Sequence, residues 1–470
     1  MDTQFAQSAE PQKPASAVGK TSASQKPRHI YIDCTSTYMT GLNTGIQRVV
    51  RGLVEREEAL SRHAGVPCIP VIAFRGRFWP FSRTQRAWML SILTEGAQSR
   101  KTARGRFMRL QGAILAVGDR LHVPRGVTEA PLGVIRGILA RLLWRLKALT
   151  PLRVFRRHEV QAIEPAPRDL LLIPDAFWGG HGQLPAIKRF AAAGGAVVPV
   201  VHDVAPWTHP VYFPDFDARL FTQGLTSILA VACGVLTVSR AVMTDVGRFC
   251  AEQGYGHIPL DYTYSGADIT QPIQASMVPV RPAIVAHYQA RPFLMVGTLE
   301  PRKGYRAALD AYALYRQAGG CRPLVIVGRR GWKELDILAR METVVAASGS
   351  VFFYDDASDT ELGALYQYAG ALIFASHYEG FGLPLVEAMH MGVPVIASDI
   401  PVFREIGEDY PAYFRVADAE DLCRALQEHD QAMGGGRKPP RLWPTWDGAA
   451  PKYIDKAIAL YAKGRMNSTS

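Results

Sequence analysis

No uninterrupted apolar run in the 470 residues reaches the roughly 18 residues that cross a bilayer as a helix, so the sequence offers no transmembrane span. Cysteine is sparse. Cys34, Cys68, Cys233, Cys250, Cys321 and Cys423 stand far apart, with no CxxC pair and no Cys/His cluster at zinc-ligand spacing. That pattern excludes a disulfide framework and a structural zinc site, and reads as the reduced core thiols of a cytosolic protein. The stretch from Met1 to Lys26 lacks the apolar segment of a secretory signal and, rich in Ser, Ala, Gln, Pro and Lys, reads as a disordered leader over 1–27. Acid is missing from one long segment: between Pro131 and His158 there are seven Lys or Arg residues and no Asp or Glu. With a formal net charge of +11, the chain favours polyanions: nucleotide phosphates, nucleic acid or the anionic face of a membrane.

At 470 residues the chain exceeds one hydrophobic core, and 48 % apolar with 20 % charged residues suits two globular domains. Short apolar runs alternate with helical patterns. In the first half, His29–Asp33, Val66–Phe74, Asp169–Pro174, Ala196–His202 and Gly234–Val238 read as strands, with a helix from Ile46 to Ala59. In the second half, Phe293–Val296, Leu324–Val327, Val351–Phe353, Ala371–Phe374 and Val393–Ile396 are strands. Helices are expected at Tyr305–Ala318, Thr360–Tyr368, from Pro384 onward, and at Asp418–His429. Continuous rather than alternating apolar runs mark parallel strands covered on both faces, so the fold class is α/β with βαβ units. The expected domains are 28–270, carrying an Arg-rich insert at about 82–164, and 291–445. Between them lies a proline-rich linker at 271–290, and a helix with its tail over 446–470 completes the chain. Within the insert, leucines from Leu132 to Leu149 recur at helical spacing among the basic residues of 131–158. That helix either lies on a membrane surface or packs its leucines on the domain.

Two loops carry the chemistry. Glu379-Gly-Phe-Gly-Leu-Pro-Leu-Val-Glu387 follows a strand, holds two glycines and puts Pro384 at a first helical turn. Its backbone N–H groups and helix N-terminus suit a diphosphate, and Glu379 and Glu387 can face one cleft. Read as local structure alone, Glu387 is a dipole-complementing acid and the glycines are turn residues. Gly297-Thr-Leu-Glu-Pro-Arg-Lys-Gly304 also joins a strand to a helix and sets Arg302 beside Lys303, where paired cations can neutralise a leaving diphosphate. Both segments fall at the carboxyl ends of strands, where open α/β sheets bind ligands.

The C-terminal half, from Phe293 to Asp430, resembles the retaining glycosyltransferase family 4. Glu379 through Glu387 matches its E-x7-E motif, Glu300-Pro-Arg-Lys-Gly304 its basic donor loop, and Ser398–Glu405 the segment after the motif helix. The resemblance implies the GT-B architecture: two Rossmann-like domains with parallel sheets facing a central cleft, and a C-terminal helix, here Asp447 to Tyr461, crossing back to the first domain. Thr44-Gly-Ile-Gln-Arg-Val-Val50 resembles the glycine loop of the bacterial polysaccharide branch, and His202-Asp-Val-Ala-Pro206 the family's histidine motif.

Carried over, the family's catalytic positions are His202, Arg302, Lys303 and Glu379. Its donor-binding positions are Gly45, Gly380, Phe381, Gly382, Leu383 and Glu387, with Glu387 on the ribose and Glu379 on the sugar. Ser239 and Gly266-Ala-Asp268 match weaker positions and read as structural. No DxD-type pair is placed at the donor loops and Asp355-Asp356 reads as solvated, so neither a metal nor any other cofactor is expected. The implied reaction moves a hexose, mannose or a deoxy relative, from a GDP-sugar (alternatively a UDP-sugar) to a growing polysaccharide or lipid-linked glycan. The expected setting is the cytoplasm or the inner face of the membrane, with the membrane surface as a candidate partner through 131–158. A nucleic-acid-binding protein would explain the charge but has no use for the two glutamates. A silent binding subunit and a sucrose-, trehalose- or phosphorylase-type enzyme are the further alternatives.

Overall fold

A computed structural model describes residues 26–40, 44–81, 161–178, 182–267, 280–433 and 436–467. The leader before residue 26, the basic helix of 131–158 and Asp268 lie outside the described residues, as does the expected linker up to residue 279.

The first sheet contains β1 (His29–Asp33), β2 (Cys68–Phe74), β3 (Arg77–Pro80), β4 (Asp169–Ile173), β5 (Ala196–Val201), β6 (Val235–Thr237) and β7 (Leu260–Tyr262). Their spatial order is β3-β2-β1-β4-β5-β6-β7, parallel throughout except for β3, which turns back on β2. The second sheet contains β8 (Phe293–Val296), β9 (Leu324–Val327), β10 (Val351–Tyr354), β11 (Ala371–Phe374), β12 (Val395–Ser398) and β13 (Ala412–Phe414), in the order β10-β9-β8-β11-β12-β13. Every residue of β4, β9, β11 and β12 is buried, because helices cover both faces of each sheet. This is the α/β class that the strand–helix alternation implied, in the two-sheet arrangement that the resemblance implied.

In both sheets the winding reverses beside the first strand, between β1 and β4 and between β8 and β11. Such reversals open a crevice at the carboxyl ends of the strands. The loops after β4, β5, β8 and β11 all leave from those ends, and they carry Asp175, His202, Arg302 with Lys303, and Glu379.

The helix expected over 46–59 is two helices, Gly45–Val54 and Glu57–Ala64. The break falls at Glu55–Arg56, where the Arg56 guanidinium donates back to the Gly52 carbonyl at 3.3 Å and across to Asp447 at 2.5 Å. Both helices, together with β5, β6 and β7, pack against the C-terminal helix Trp446–Asn467, which crosses back onto the first domain. Tyr453, Ile454, Ala457 and Leu460 of that helix are fully buried. They join one apolar cluster that runs from β1 and β4 to Leu385 and Val386 of the second domain. A second cluster fills the opposite face of the second sheet, under Tyr305–Gln317 and Ala419–Met433.

Candidate active site

The donor loop begins where β8 ends. After Gly297, residues Pro301–Lys303 make one 3-10 turn, and Gly304 reverses the chain with a φ of +69° before helix Tyr305–Gln317. A Cβ at Gly304 would collide with the Ala375 carbonyl, so the loop lies flush against the exit of β11. The His377 N–H donates to the Arg302 carbonyl at 2.9 Å and ties the two loops together.

Their side chains form one buried charge cluster. Arg302 donates to Glu300 Oε1 at 2.7 Å, to the Tyr378 carbonyl at 2.8 Å and to Glu379 Oε2 at 3.1 Å. Lys303 Nζ reaches Glu379 Oε1 at 2.5 Å, and the Ser376 hydroxyl donates to the same oxygen at 2.8 Å. Burial works to raise the Glu379 pKa, but the Lys303 and Arg302 charges outweigh it and hold the carboxyl at about 2. Glu379 is therefore a fixed anion at neutral pH and no proton donor. Glu300 moves the other way: burial lifts it above the usual carboxylate range, with Arg302 and Lys303 opposing.

At Gly380 the two domains meet closely. A Cβ there would collide with the His202 carbonyl, and the Ser239 hydroxyl donates to the Gly380 carbonyl at 2.8 Å. Gly382, at φ +96°, starts the helix Leu383–His390, which has Pro384 in its first turn and no side-chain cap. Its amino end faces that of helix Gly45–Val54, since a Cβ on Gly45 would lie 3.8 Å from Leu383 Cδ1. Two helix N-termini thus converge on one spot, an arrangement that attracts an anion. Glu387 lies one turn further along. Its Oε1 accepts from Arg48 of the first domain at 2.6 Å and its Oε2 from the Tyr366 hydroxyl at 2.9 Å.

His202 leaves the end of β5 with its Nε2 at 2.7 Å from the Pro174 carbonyl, which requires a proton on that nitrogen. Burial lowers its pKa, so the ring is neutral and Nδ1 is the acceptor. The structure thus gathers His202, Arg302, Lys303, Glu379, Gly380, Gly382, Leu383, Glu387 and Gly45 around one interdomain cleft. Phe381 is brought to the same loop, but its side chain is buried with Tyr264 and Trp443, at centroid distances of 6.2 and 5.6 Å, so only its backbone faces the cleft chemistry.

Sequence reasoning read Ser239 as structural and gave no role to Glu405, Asp33 or Asp175. Ser239 caps helix Arg240–Glu252 through the Val242 N–H while it bridges to Gly380, so its structural role spans both domains. Glu405 accepts from the N–H groups of Arg240 at 2.7 Å and Ala241 at 2.8 Å, capping that same helix from the opposite domain. Asp356 is not simply solvated, since Arg281 pairs with it at 2.7 Å; Asp355, half-exposed, lies 3.8 Å from Arg330. Asp33 ends β1 and Asp175 lies in the loop after β4, both fully buried. Asp33 accepts from Thr35 and Gln183, and Asp175 from Thr37. Burial first, opposed by those hydrogen bonds, raises Asp33 to about 6; burial and then the Asp33 charge raise Asp175 to about 7. Among the described residues no group of three or more His, Cys, Asp or Glu side chains is placed to hold a metal ion, and no helix is long and apolar enough to cross a membrane.

Comparison with known proteins finds relatives for part of this cleft. The family model for glycosyl transferases group 1 matches residues 284–428, which contain both charged loops. Residues 284–428 are thus similar to a group 1 glycosyltransferase domain. That domain supplies β8–β13 and every described residue of the Glu379 cluster, while His202, Gly45 and Arg48 come from the first sheet's side. Relatives include the serotype-specific mannosyltransferase WbdA of Escherichia coli, 34 % identical over 287 residues, 59 % of this chain and 35 % of that protein. The O-antigen chain mannosyltransferase B of Escherichia coli is 31 % identical over 226 residues, 48 % of this chain and 58 % of that one. The chain therefore spans less than two thirds of the length of these relatives. Among solved structures, Anabaena Alr3699/HepE in complex with UDP and glucose aligns over 94 % of this chain and 98 % of that one, at 15 % identity and a TM-score of 0.48.

Proposed function

We propose that this protein is a retaining glycosyltransferase that moves a hexose, mannose or a deoxy relative, from a GDP-sugar to a growing bacterial cell-surface polysaccharide. The observation that carries the reading is the buried Arg302–Lys303–Glu379 cluster, set in the loop that leads into helix Leu383–His390 where His202 and Gly45 of the first domain approach it. The mannosyltransferase names of the relatives above support mannose and an O-antigen-type acceptor.

In this reading the donor diphosphate lies against the amino end of Leu383–His390, with Arg302 and Lys303 stabilising charge as the phosphate departs. Glu379, locked as an anion, orients those cations and accepts from the sugar hydroxyls. Glu387 accepts from the ribose. Neutral His202 presents Nδ1 to the sugar from the opposite domain, so closure completes the site. No side chain is offered as a nucleophile, so in this reading the acceptor oxygen bonds to the sugar on the face from which the diphosphate leaves, and the departing phosphate takes the acceptor proton. The stabilising charges are side chains, so the reaction needs no metal, and a chelator should leave the rate unchanged. In this reading the reaction takes place in the cytoplasm or at the inner face of the membrane, where a lipid-linked acceptor would be presented.

The test is nucleotide release from a panel of GDP-, UDP-, ADP- and dTDP-sugars, with the wild type beside Glu379→Ala. Release from one donor, abolished by the substitution, supports the proposal and names the base. Release from a UDP-sugar alone would replace the donor assignment, and silence across the panel with no nucleotide binding by calorimetry would sink the enzyme reading.

A further inference from the structure

Arg48 has no role in the scheme above, although it stands in the middle of the cleft. It lies on the first turn of helix Gly45–Val54, its N–H bonded to the Thr44 carbonyl at 3.0 Å. Its guanidinium crosses the domain boundary to Glu387 at 2.6 Å, with the Arg48 side chain 32 % and the Glu387 side chain 14 % exposed. Glu387 raises the Arg48 pKa against the cost of burial, so the guanidinium stays charged. The pair forms one wall of a cavity of about 160 Å³, lined also by Tyr366, Leu383, Arg51 and Trp446.

The charges of the donor loops set up the problem that Arg48 solves. Arg302 and Lys303 bring two positive charges, and Glu300 and Glu379 bind them as two carboxylates. Even with Glu300 lifted by burial, this cluster has little net charge to offer a diphosphate. The counter-ion of Arg48 is the carboxylate that the proposed function assigns to the ribose. A ribose hydroxyl donating to Glu387 Oε1 would compete directly with the Arg48 N–H for that oxygen. The place to which Arg48 would turn is near: Gly45, three residues before it on the same helix, packs toward Leu383 at the amino end of the helix that would receive the phosphates. Pairing a guanidinium with a phosphate is also the stronger, bidentate arrangement.

We infer that Arg48 is a third diphosphate-binding cation, supplied by the first domain: it holds Glu387 as seen here and transfers to the donor diphosphate when a ribose takes Glu387. The inference rests on the donor-site reading proposed above. It makes donor occupancy and the approach of the two domains one event, because the residue that recognises the phosphates sits on the opposite domain from Arg302 and Lys303.

The experiment measures, by calorimetry, the affinities of GDP, guanosine, UDP and uridine for wild type, Arg48→Gln and Arg48→Lys. Thermal melts check that the variants fold. Arg48→Gln should weaken the preferred nucleoside diphosphate by roughly 10- to 100-fold, the value of one charge-assisted contact, while leaving its nucleoside unchanged or tighter. Arg48→Lys should recover part of the loss. If Arg48→Gln leaves the ratio of diphosphate to nucleoside affinity at its wild-type value, Arg48 is a latch between domains and the inference fails while the donor-site reading stands. If wild type binds neither GDP nor UDP, both fail together.

Discussion

Replacing Glu379 by Gln tests the central electrostatic feature of the cleft. The amide keeps the shape of the carboxyl but cannot balance Lys303 at 2.5 Å and Arg302 at 3.1 Å, both of which would stay charged and largely buried. Two routes give the size of the effect. Removing one partner from a buried ion pair costs about 3–5 kcal/mol. Independently, a carboxyl held at about 2 instead of its ordinary 4.5 contributes about 3 kcal/mol to stability above pH 5.5. The sign follows from the depressed value. The contribution is complete above the unfolded pKa and is lost as pH falls from there toward 2, so about half remains at pH 3. At pH 7 the variant should therefore melt roughly 6–12 °C below wild type if the second domain unfolds as a unit. The gap should narrow on acidification, measured by calorimetry from pH 7 to pH 3. Adding Lys303→Met to Glu379→Gln should return part of the loss, because it removes one of the stranded charges. A variant that melts within about 2 °C of wild type at pH 7 would refute the claim that Glu379 neutralises these cations.

Three further outcomes follow from the geometry. Gly380→Ala should abolish transfer and increase the radius of gyration in X-ray scattering, because its Cβ has no room against the His202 carbonyl; an unchanged radius with full activity would contradict the close approach. His202→Gln should lower turnover and flatten the stability profile on the acid side. With its folded pKa lowered, wild-type His202 contributes stability that is complete above the ordinary value of 6.5 and declines below it, so the two profiles should diverge only under pH 6.5. Glu405→Ala removes one of the two side-chain caps of helix Arg240–Glu252, leaving Ser239 in place, and should cost about 1 kcal/mol, read as a lower melting temperature that Glu405→Asp does not fully restore.

Ten of the thirteen described strands, the two charged loops and the pairing of glycines with acids were legible in the residues, whereas β3, β7 and β13 and the helices Asp215–Leu229, Arg240–Glu252 and Leu335–Ser348 were not read. The legible features depend on local rules: an apolar run buries on both faces, and a glycine turns where a side chain cannot. The split of the expected helix at Glu55–Arg56 was not legible, because its causes are the Gly52 carbonyl and Asp447, the latter nearly four hundred positions away. Arg48 stood inside a recognised motif without a role for the same reason. Its partner Glu387 is 339 residues distant, and no spacing rule connects them.

What the sequence by itself determined is the chemistry available at each strand end: a histidine after β5, two cations after β8 and two glutamates around the loop after β11. Only the tertiary structure decided how those groups are used. It buried Glu379 between Lys303 and Arg302 and so made it a permanent anion, turned the Phe381 ring away from the cleft, and recruited Ser239 and Glu405 as ties between domains. Local propensity acts over a few residues, whereas the charge state of a carboxyl depends on which cations and how little water surround it, and those neighbours are chosen when the two sheets dock.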